Sequence, residues 1–218
     1  MIVIRLQVGP LASNAYLLKD EASGAGAVVD PGAEGDRIVE RCREEGLEPR
    51  LIINTHAHAD HIGANAALKE AFPDALICIG AEDADRLADA AANLSALVPE
   101  PVQSPPADLL LRDGQQVHFG SAVLEVMETP GHTPGSICLL ARQPEPPQIF
   151  SGDLIFQGSV GRTDLPGGST EQLFGSIREK LLPLDDETII WPGHGERTTL
   201  GAERKGNPFL QAGSLAHF

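Results

Sequence analysis

The sequence predicts an α/β fold, and three observations carry that reading. Short apolar or alternating β-favouring runs recur along the chain, separated by helix-like segments and by Gly and Pro turns. Four of these runs open directly into small clusters of His, Asp and Gly. The strands and helices of the first half are mirrored by those of the second. At 218 residues the chain is long enough for one substantial core, so residues 1–218 are expected to form a single domain.

The elements follow in order. Ile2 to Val8 alternates as a strand, and Gly9-Pro10 breaks it before a signal-peptide apolar core could form. Strands near 15–19 and 26–30 precede a helix from about Asp36 to Glu45. Leu51-Ile52-Ile53-Asn54 is short, apolar and β-favouring, as a buried strand should be. It leads into Thr55-His56-Ala57-His58-Ala59-Asp60-His61, and Gly63 to Glu70 then reads as a helix. That cluster occupies the kind of strand-to-helix crevice where α/β proteins place ligands. A strand at Leu76 to Ile79 follows. The acidic run Glu82 to Ala90 reads as the solvated face of a helix and is assigned no function. Ala91 to Ala107, with Pro99, Pro101, Pro105 and Pro106, reads as a long connection, a class that is often functional or mobile. Leu109 to Val117 carries a strand and an Asp113-Gly114 turn signal. Val123 to Thr129 then alternates into Pro130-Gly131-His132-Thr133-Pro134-Gly135. Ile149-Phe150-Ser151-Gly152-Asp153 and Thr188 to Gly195 complete the strands, with helices near 170–182 and 196–205.

The densest cluster holds three of the seven histidines and a carboxylate within six residues. Imidazole with carboxylate suits zinc, iron or manganese. Residues at i and i+2 cannot share a helix face, so His56 and His58 need extended or loop backbone to converge on one ion. Asp60 and His61, at adjacent positions, diverge from that pair and could serve a second ion. The motif differs from His-Glu-x-x-His, whose histidines lie at i, i+4 on a helix. A single Gly-His or Gly-Asp turn is usually structural. Recurrence of such turns at four strand ends is not explained that way.

These segments resemble the metallo-β-lactamase superfamily, in which a His-x-His-x-Asp-His loop, a Gly-His turn, an Asp after a strand and a final His bind one or two metals. The resemblance spans most of the chain. It is nearest to the short glyoxalase II-like hydrolases, on Ser13-Asn14-Ala15-Tyr16-Leu17-Leu18, on Gly161 to Ser169, and on Thr198 to Leu210 with its Asn207-Pro208-Phe209-Leu210. It implies a four-layered αββα sandwich with metals at one edge between the sheets. It also implies that His56, His58 and His132 hold one divalent ion, that Asp60, His61 and His194 hold another, and that Asp153 bridges them. Zinc is the expected metal, with iron or manganese as alternatives. His118, in Gln116-Val117-His118-Phe119, reads as a half-exposed strand histidine, and His217 lies in a terminal tail expected to fray.

Composition agrees. A formal charge of −15 argues against nucleic-acid or anionic-membrane partners, which need clustered Lys and Arg. Two divalent ions would offset Asp60 and Asp153 and leave the mouth of the site more positive than the sum. No apolar run approaches bilayer-spanning length, and the chain reads as soluble and cytoplasmic. Cys42, Cys78 and Cys138 are odd in number without metal-like spacing, and read as reduced and structural. No signal of oligomeric state is present.

The chemistry expected of two such ions is hydrolysis. A water on a divalent metal can have its pKa lowered to about 7, and Asp60 and Asp153 would help hold the resulting hydroxide for attack on a polarised carbonyl. A thiolate, with a reference pKa of about 8.5, leaves without a general acid. Thioesters therefore suit the site, S-D-lactoylglutathione foremost, whereas amides, β-lactams among them, would need a proton donor. Glyoxalase II has a further C-terminal helical domain that contacts glutathione, and only twenty-four residues follow His194 here. Arg162, Arg197, Arg204 and Lys205 are the candidate substitutes for a carboxylate contact. The rival enzyme is a mononuclear-iron persulfide dioxygenase on His56, His132 and Asp153, whose family shares a Gly-Arg-Thr-Asp segment like Gly161 to Asp164. A non-catalytic metal-dependent binding protein is the reading from another class, and the complete ligand set gives it no support.

Overall fold

Apolar residues on alternate positions of each strand give every strand two faces to bury, and the fold supplies a partner for both. The computed structural model describes residues 1–97 and 101–211. Strands β1 (Ile2–Val8), β2 (Ser13–Lys19), β3 (Ala25–Val29), β4 (Glu48–Asn54), β5 (Leu76–Gly80) and β6 (Leu109–Leu111) form one six-stranded sheet in chain order. A second contains β7 (Gln116–Phe119), β8 (Ala122–Glu128), β9 (Ile137–Ala141) and β10 (Gln148–Gly152). A small hairpin, β11 (Ile155–Phe156) and β12 (Ser159–Val160), precedes β13 (Ile189–Pro192) and β14 (Thr198–Thr199), and the second sheet runs β14-β13-β10-β9-β8-β7.

The first sheet turns from antiparallel (β1 to β3) to parallel (β3 to β6). Parallel neighbours need crossovers. These are α1 (Gly35–Glu44) after β3, and α2 (Ala59–Ile62) with α3 (Asn65–Ala71) after β4. In the second sheet β10 and β13 are parallel, joined through α4 (Thr170–Ser176), whose continuation at Ile177–Leu181 widens to a π-helical turn. Helix α5 (Leu200–Gly206) follows β14.

Three apolar layers result. Between the sheets, Tyr16, Leu18, Ile53 and Leu111 meet Phe119, Val126, Leu139 and Phe150. On the outer face of the first sheet, Leu17, Ile52 and Ile77 lie under Ile38, Cys42 and Leu68 of α1 and α3. On the outer face of the second, Leu140, Ile149 and Ile190 lie under Leu173, Phe174 and Leu200. This is the αββα sandwich that the family resemblance implied. Each such side chain contributes about 1.5–3 kcal/mol of burial. All three cysteines are free and buried, and burial pushes each thiol up to about 12. Among the described residues no helix is long and apolar enough to cross a membrane.

Two expectations need correction, and the Asp113-Gly114 turn is found where expected but joins strands of different sheets. β6 pairs with β5 in the first sheet, while β7 is the far edge of the second. Gly114 does adopt a positive φ of 74°, so the turn signal is real. Leu111 and Val117 both bury between the sheets, and that packing rather than the turn chooses their partners. The acidic run is helical with Glu82 and Asp85 exposed, but it is a 3₁₀ helix (Ala81–Leu87) and its Asp83 is wholly buried rather than solvated. The last helix starts at Leu200, since Thr198 and Thr199 pair with β13. Within the 91–107 connection, Ser95–Leu97 forms a 3₁₀ turn. Pro99 and His217 lie outside the described residues.

Asp20, just after β2, ties the sheets together at the end remote from the histidines. It accepts from Ser121 Oγ at 2.6 Å and from Ser23. Those hydrogen bonds hold its carboxyl down at about 2, against about 4 when unfolded. A depressed folded-state value stabilises above the unfolded pKa and is lost as pH falls through the folded one. Asp20→Asn is therefore expected to lower stability at neutral pH and to flatten the loss of stability between about pH 4 and pH 2, read from denaturant midpoints. Parallel acid profiles for the two proteins would refute this.

Candidate metal centre

Four strand ends deliver the ligand-type side chains. His56 and His58 follow β4 in extended backbone, and His58 caps α2 with φ −67° and ψ 146°. Asp60 and His61 stand on that short helix rather than in a loop, which separates them from the first two histidines. The Asn54 amide donates to His61 O at 3.0 Å, and Asn54 and Asn65 bond each other reciprocally. Gly32 lets the β3–α1 loop pass against this helix: a Cβ there would stand 1.7 Å from Asp60 O. His132 follows β8, Asp153 follows β10, and His194 follows β13.

The seven side chains form two groups around one carboxylate. His58 Nδ1 stands 2.9 Å from His132 Nε2, and the His56 ring lies 4.7 and 4.8 Å from those of His58 and His132. His194 Nε2 lies 3.1 Å from Asp60 Oδ2, which is 3.5 Å from His61 Nε2. Asp153 reaches both: Oδ2 is 3.5 Å from His132 Nε2, and Oδ1 is 3.5 Å from His61 Nε2. In each of the trios His56/His58/His132 and Asp60/His61/His194, the donor atoms lie within 4.8 Å of one another.

The donor set fits a divalent cation. His56 Nε2, His61 Nε2 and Asp153 Oδ1 are buried without a hydrogen-bond partner, an arrangement that costs about 1–3 kcal/mol per group unless something binds there. Nitrogen and carboxylate oxygen together match zinc, iron or manganese. Burial holds His56 well below its usual range, and burial with the neighbouring imidazoles holds His58 at about 3, so both present neutral lone pairs. Burial opposes charge on His61, but Asp60, Asp153 and Asp30 outweigh it and push that imidazole up to about 10. Burial would raise Asp60, yet His61, His194 and Ser13 hold it below the usual carboxylate range. This pocket favours positive charge.

Sequence comparison bears on the same residues. The profile described as the Metallo-beta-lactamase superfamily matches residues 8–194. The chain belongs to the metallo-β-lactamase superfamily. The probable metallo-hydrolase YqgX of Bacillus subtilis (strain 168) is 40% identical over 213 residues, 97% of this chain and 98% of that protein. The hydroxyacylglutathione hydrolase GloC of Haemophilus influenzae is 37% identical, over 96% of this chain and 98% of its own. Among solved structures, BLEG-1 B3 metallo-β-lactamase superposes with a TM-score of 0.91 at 37% identity, over 97% of this chain and 100% of its own. TTHA1623 in a di-iron-bound form gives 0.84 at 39%, over 95% and 100%. ETHE1 from Myxococcus xanthus gives 0.78 at 30%, over 100% and 89%. Metallo-β-lactamase superfamily proteins are generally metal-dependent hydrolases, and the His/Asp cluster in this fold implies divalent metals.

Around this centre, outward hydrogen bonds orient the rings. His61 Nδ1 donates to Asp30 Oδ2 at 3.0 Å, His132 Nδ1 to Arg162 O at 2.8 Å, and His194 Nδ1 to Leu11 O at 3.1 Å. His56 Nδ1 faces Thr55 Oγ1 at 3.1 Å, and that hydroxyl donates to Asp30 at 2.7 Å. Each bond leaves Nε2 for the centre. Ser13 Oγ donates to Asp60 at 2.9 Å, and Asn14 and Tyr16 donate to Pro192 O, so the Ser13 to Leu18 segment steadies the His194 turn. Asn207 bonds Ser159 O and Glu203, holding the hairpin whose Phe156 lies 6.0 Å from the His194 ring.

The proposed substrate cations scatter. Arg162 is exposed and paired with Asp164, Arg197 lies 5.4 Å over Trp191, and Lys205 is exposed on α5. Arg204 bonds Asp186 and the carbonyls of Leu182 and Leu184, which gives it a structural role between α4 and α5. His118 stays exposed on β7.

Sequence reading missed Asp30 and Asp83. Asp30 is buried at a positive φ of 51° and also accepts from Thr55 N at 2.7 Å. A weaker signal was present: Val28-Val29 is an apolar run that ends in Asp30, with Pro31 rather than a Gly next to it. Asp30→Ala, which frees both His61 and Thr55, is expected to weaken divalent-metal binding by about 10- to 100-fold in chelator competition. Unchanged affinity would show that the ring is held by packing alone.

Proposed function

We propose that the protein is a dinuclear thioester hydrolase. His56, His58 and His132 would hold one divalent ion, Asp60, His61 and His194 the other, and Asp153 would serve both. The observation that supports this most directly is Asp153 itself, with one oxygen facing His132 and the other facing His61 at 3.5 Å each. When bound, such ions would supply Lewis-acid polarisation of a carbonyl and a nucleophilic hydroxide at neutral pH. Zinc is the expected metal, and the di-iron-bound relative keeps iron in view.

The chain's own residues favour a leaving group that needs no proton. The Nδ1–H groups of His61, His132 and His194 are turned outward onto Asp30, Arg162 O and Leu11 O. Asp60 is held ionised by His61, His194 and Ser13, despite its burial. A thiolate, at about 8.5, leaves from such a site unaided, whereas the amine of an opened lactam does not. The hydroxyacylglutathione hydrolase relative supports an acyl-glutathione, S-D-lactoylglutathione foremost. Arg162 and Lys205 are the exposed cations proposed to meet its carboxylates.

The likeness to ETHE1 sustains a second reading, a mononuclear-iron persulfide dioxygenase on His56, His132 and Asp153. The two separate at the second trio. Asp153→Ala should cost at least one metal and nearly all hydrolysis, with His118→Ala unchanged in metal content. In a dinuclear hydrolase, Asp60→Ala and His194→Ala should each empty one site and sharply reduce thioester cleavage. Retained metal in both variants, with undiminished oxygen uptake on glutathione persulfide, would favour the dioxygenase.

Substrate class has its own test. The metal-loaded protein should cleave acyl-glutathione thioesters without oxygen uptake and faster than a β-lactam. Preference for the lactam, or no thioester cleavage, would overturn the proposed reaction.

A further inference from the structure

The 3₁₀ turn at Ala81–Leu87 takes no part in the reaction proposed above, yet it carries a carboxylate with no exposed surface. Asp83 Oδ2 accepts from the backbone N–H of Ala57 at 2.9 Å and from Thr133 Oγ1 at 2.7 Å, and Oδ1 accepts from the backbone N–H of Gly135 at 2.9 Å. Ala57 lies between His56 and His58, and Thr133 follows His132. One carboxylate thus joins two loops that issue from different sheets and carry all three members of one trio. The other trio has supports of its own in Ser13 and Leu11, while Asp30 serves both, on His61 directly and on His56 through Thr55.

The surrounding packing makes this a fixed brace. A Cβ at Gly80 would stand 2.1 Å from Gly135 O, and one at Gly135 would stand 2.2 Å from Asp83 N, so the two backbones are in direct contact. Arg86 keeps Nε 3.5 Å from Asp83 Oδ1 and donates to Ala92 O and Pro166 O, which balances the buried charge and anchors the turn from its other side. Three donors converge on one carboxyl group with fixed geometry, and that sets how far apart the loops stand.

We propose that Asp83 is a positioning residue for the His56/His58/His132 centre: by bonding both loops it holds His58 Nδ1 and His132 Nε2 at the separation one cation requires. Asparagine is the informative replacement. It keeps the size, but in either amide orientation its NH₂ cannot accept, so the bond from Gly135 N or those from Ala57 N and Thr133 Oγ1 are lost and the link between the two loops is broken on one side. The inference rests on the ligand assignment proposed above.

The test is zinc alone, titrated against a chelator into metal-free protein, with imidazole ¹⁵N resonances reporting each trio. In the wild type, signals of His56, His58 and His132 should move together. If they do not, the ligand assignment fails and this inference with it. In Asp83→Asn the affinity read by those three should fall about 10- to 100-fold, while that read by His61 and His194 should hold. Equal losses at both trios would reduce Asp83 to a general stabilising role, and no loss at either would remove the role altogether; both overturn the proposal. Should Asp83→Asn fold poorly, Thr133→Val removes one donor and should give a smaller loss confined to the same trio, with an even or absent loss overturning the proposal. Glu82→Gln, on the exposed face of the turn, is the control and should change neither.

Discussion

The histidine cluster depends on the two sheets being held face to face, because its ligands come from the strand ends of both. The inter-sheet layer sets that spacing. At its centre Tyr16 packs edge-on against Phe150 and Trp191, at 5.4 and 5.7 Å, while its hydroxyl donates to Pro192 O at 2.6 Å. The same residue therefore fills the core and tethers the turn that bears His194. Near the cluster, backbone bonds take over: Ile137 N to Thr55 O at 2.8 Å and Asn14 N to Gly193 O at 2.7 Å link one sheet to the other. Side-chain layers of this kind are close-packed and yield little, so Asp153 can face both trios at comparable distance.

Polar groups would ordinarily be excluded from such an edge. Here imidazoles and carboxylates are buried with acceptor atoms unpaired at the centre and paired at the periphery. The outward bonds on Asp30, Arg162 O and Leu11 O fix ring orientation, and the inward lone pairs are left to a cation. The carboxylates that crowd His61 are a local arrangement, and they drive that imidazole far above its usual pKa against the opposing effect of burial.

Two buried carboxylates divide the support of the cluster. Asp30 orients His61 directly and His56 through the Thr55 hydroxyl. Asp83 bonds backbone and hydroxyl groups of the loops themselves. Neither reads as a ligand in sequence, and Asp83 sits among exposed acidic neighbours whose pattern suggests a solvated surface.

The sequence by itself determined the fold class, the strands that end in His or Asp, and the seven ligand-type residues, because each of those signals is local: an apolar run, then a turn residue, then the side chain. The i, i+2 spacing of His56 and His58 likewise determined that they could not share a helix face. Only the tertiary structure decided that β6 and β7 belong to different sheets, since Leu111 and Val117 are drawn into a common layer that no turn signal encodes. It alone placed Asp30 and Asp83 beneath the centre and tied Arg204 to Asp186. The reason is distance along the chain: Asp83 meets Gly135 across 52 residues and Ala57 across 26, and a hydrogen bond between such partners leaves no periodicity to read.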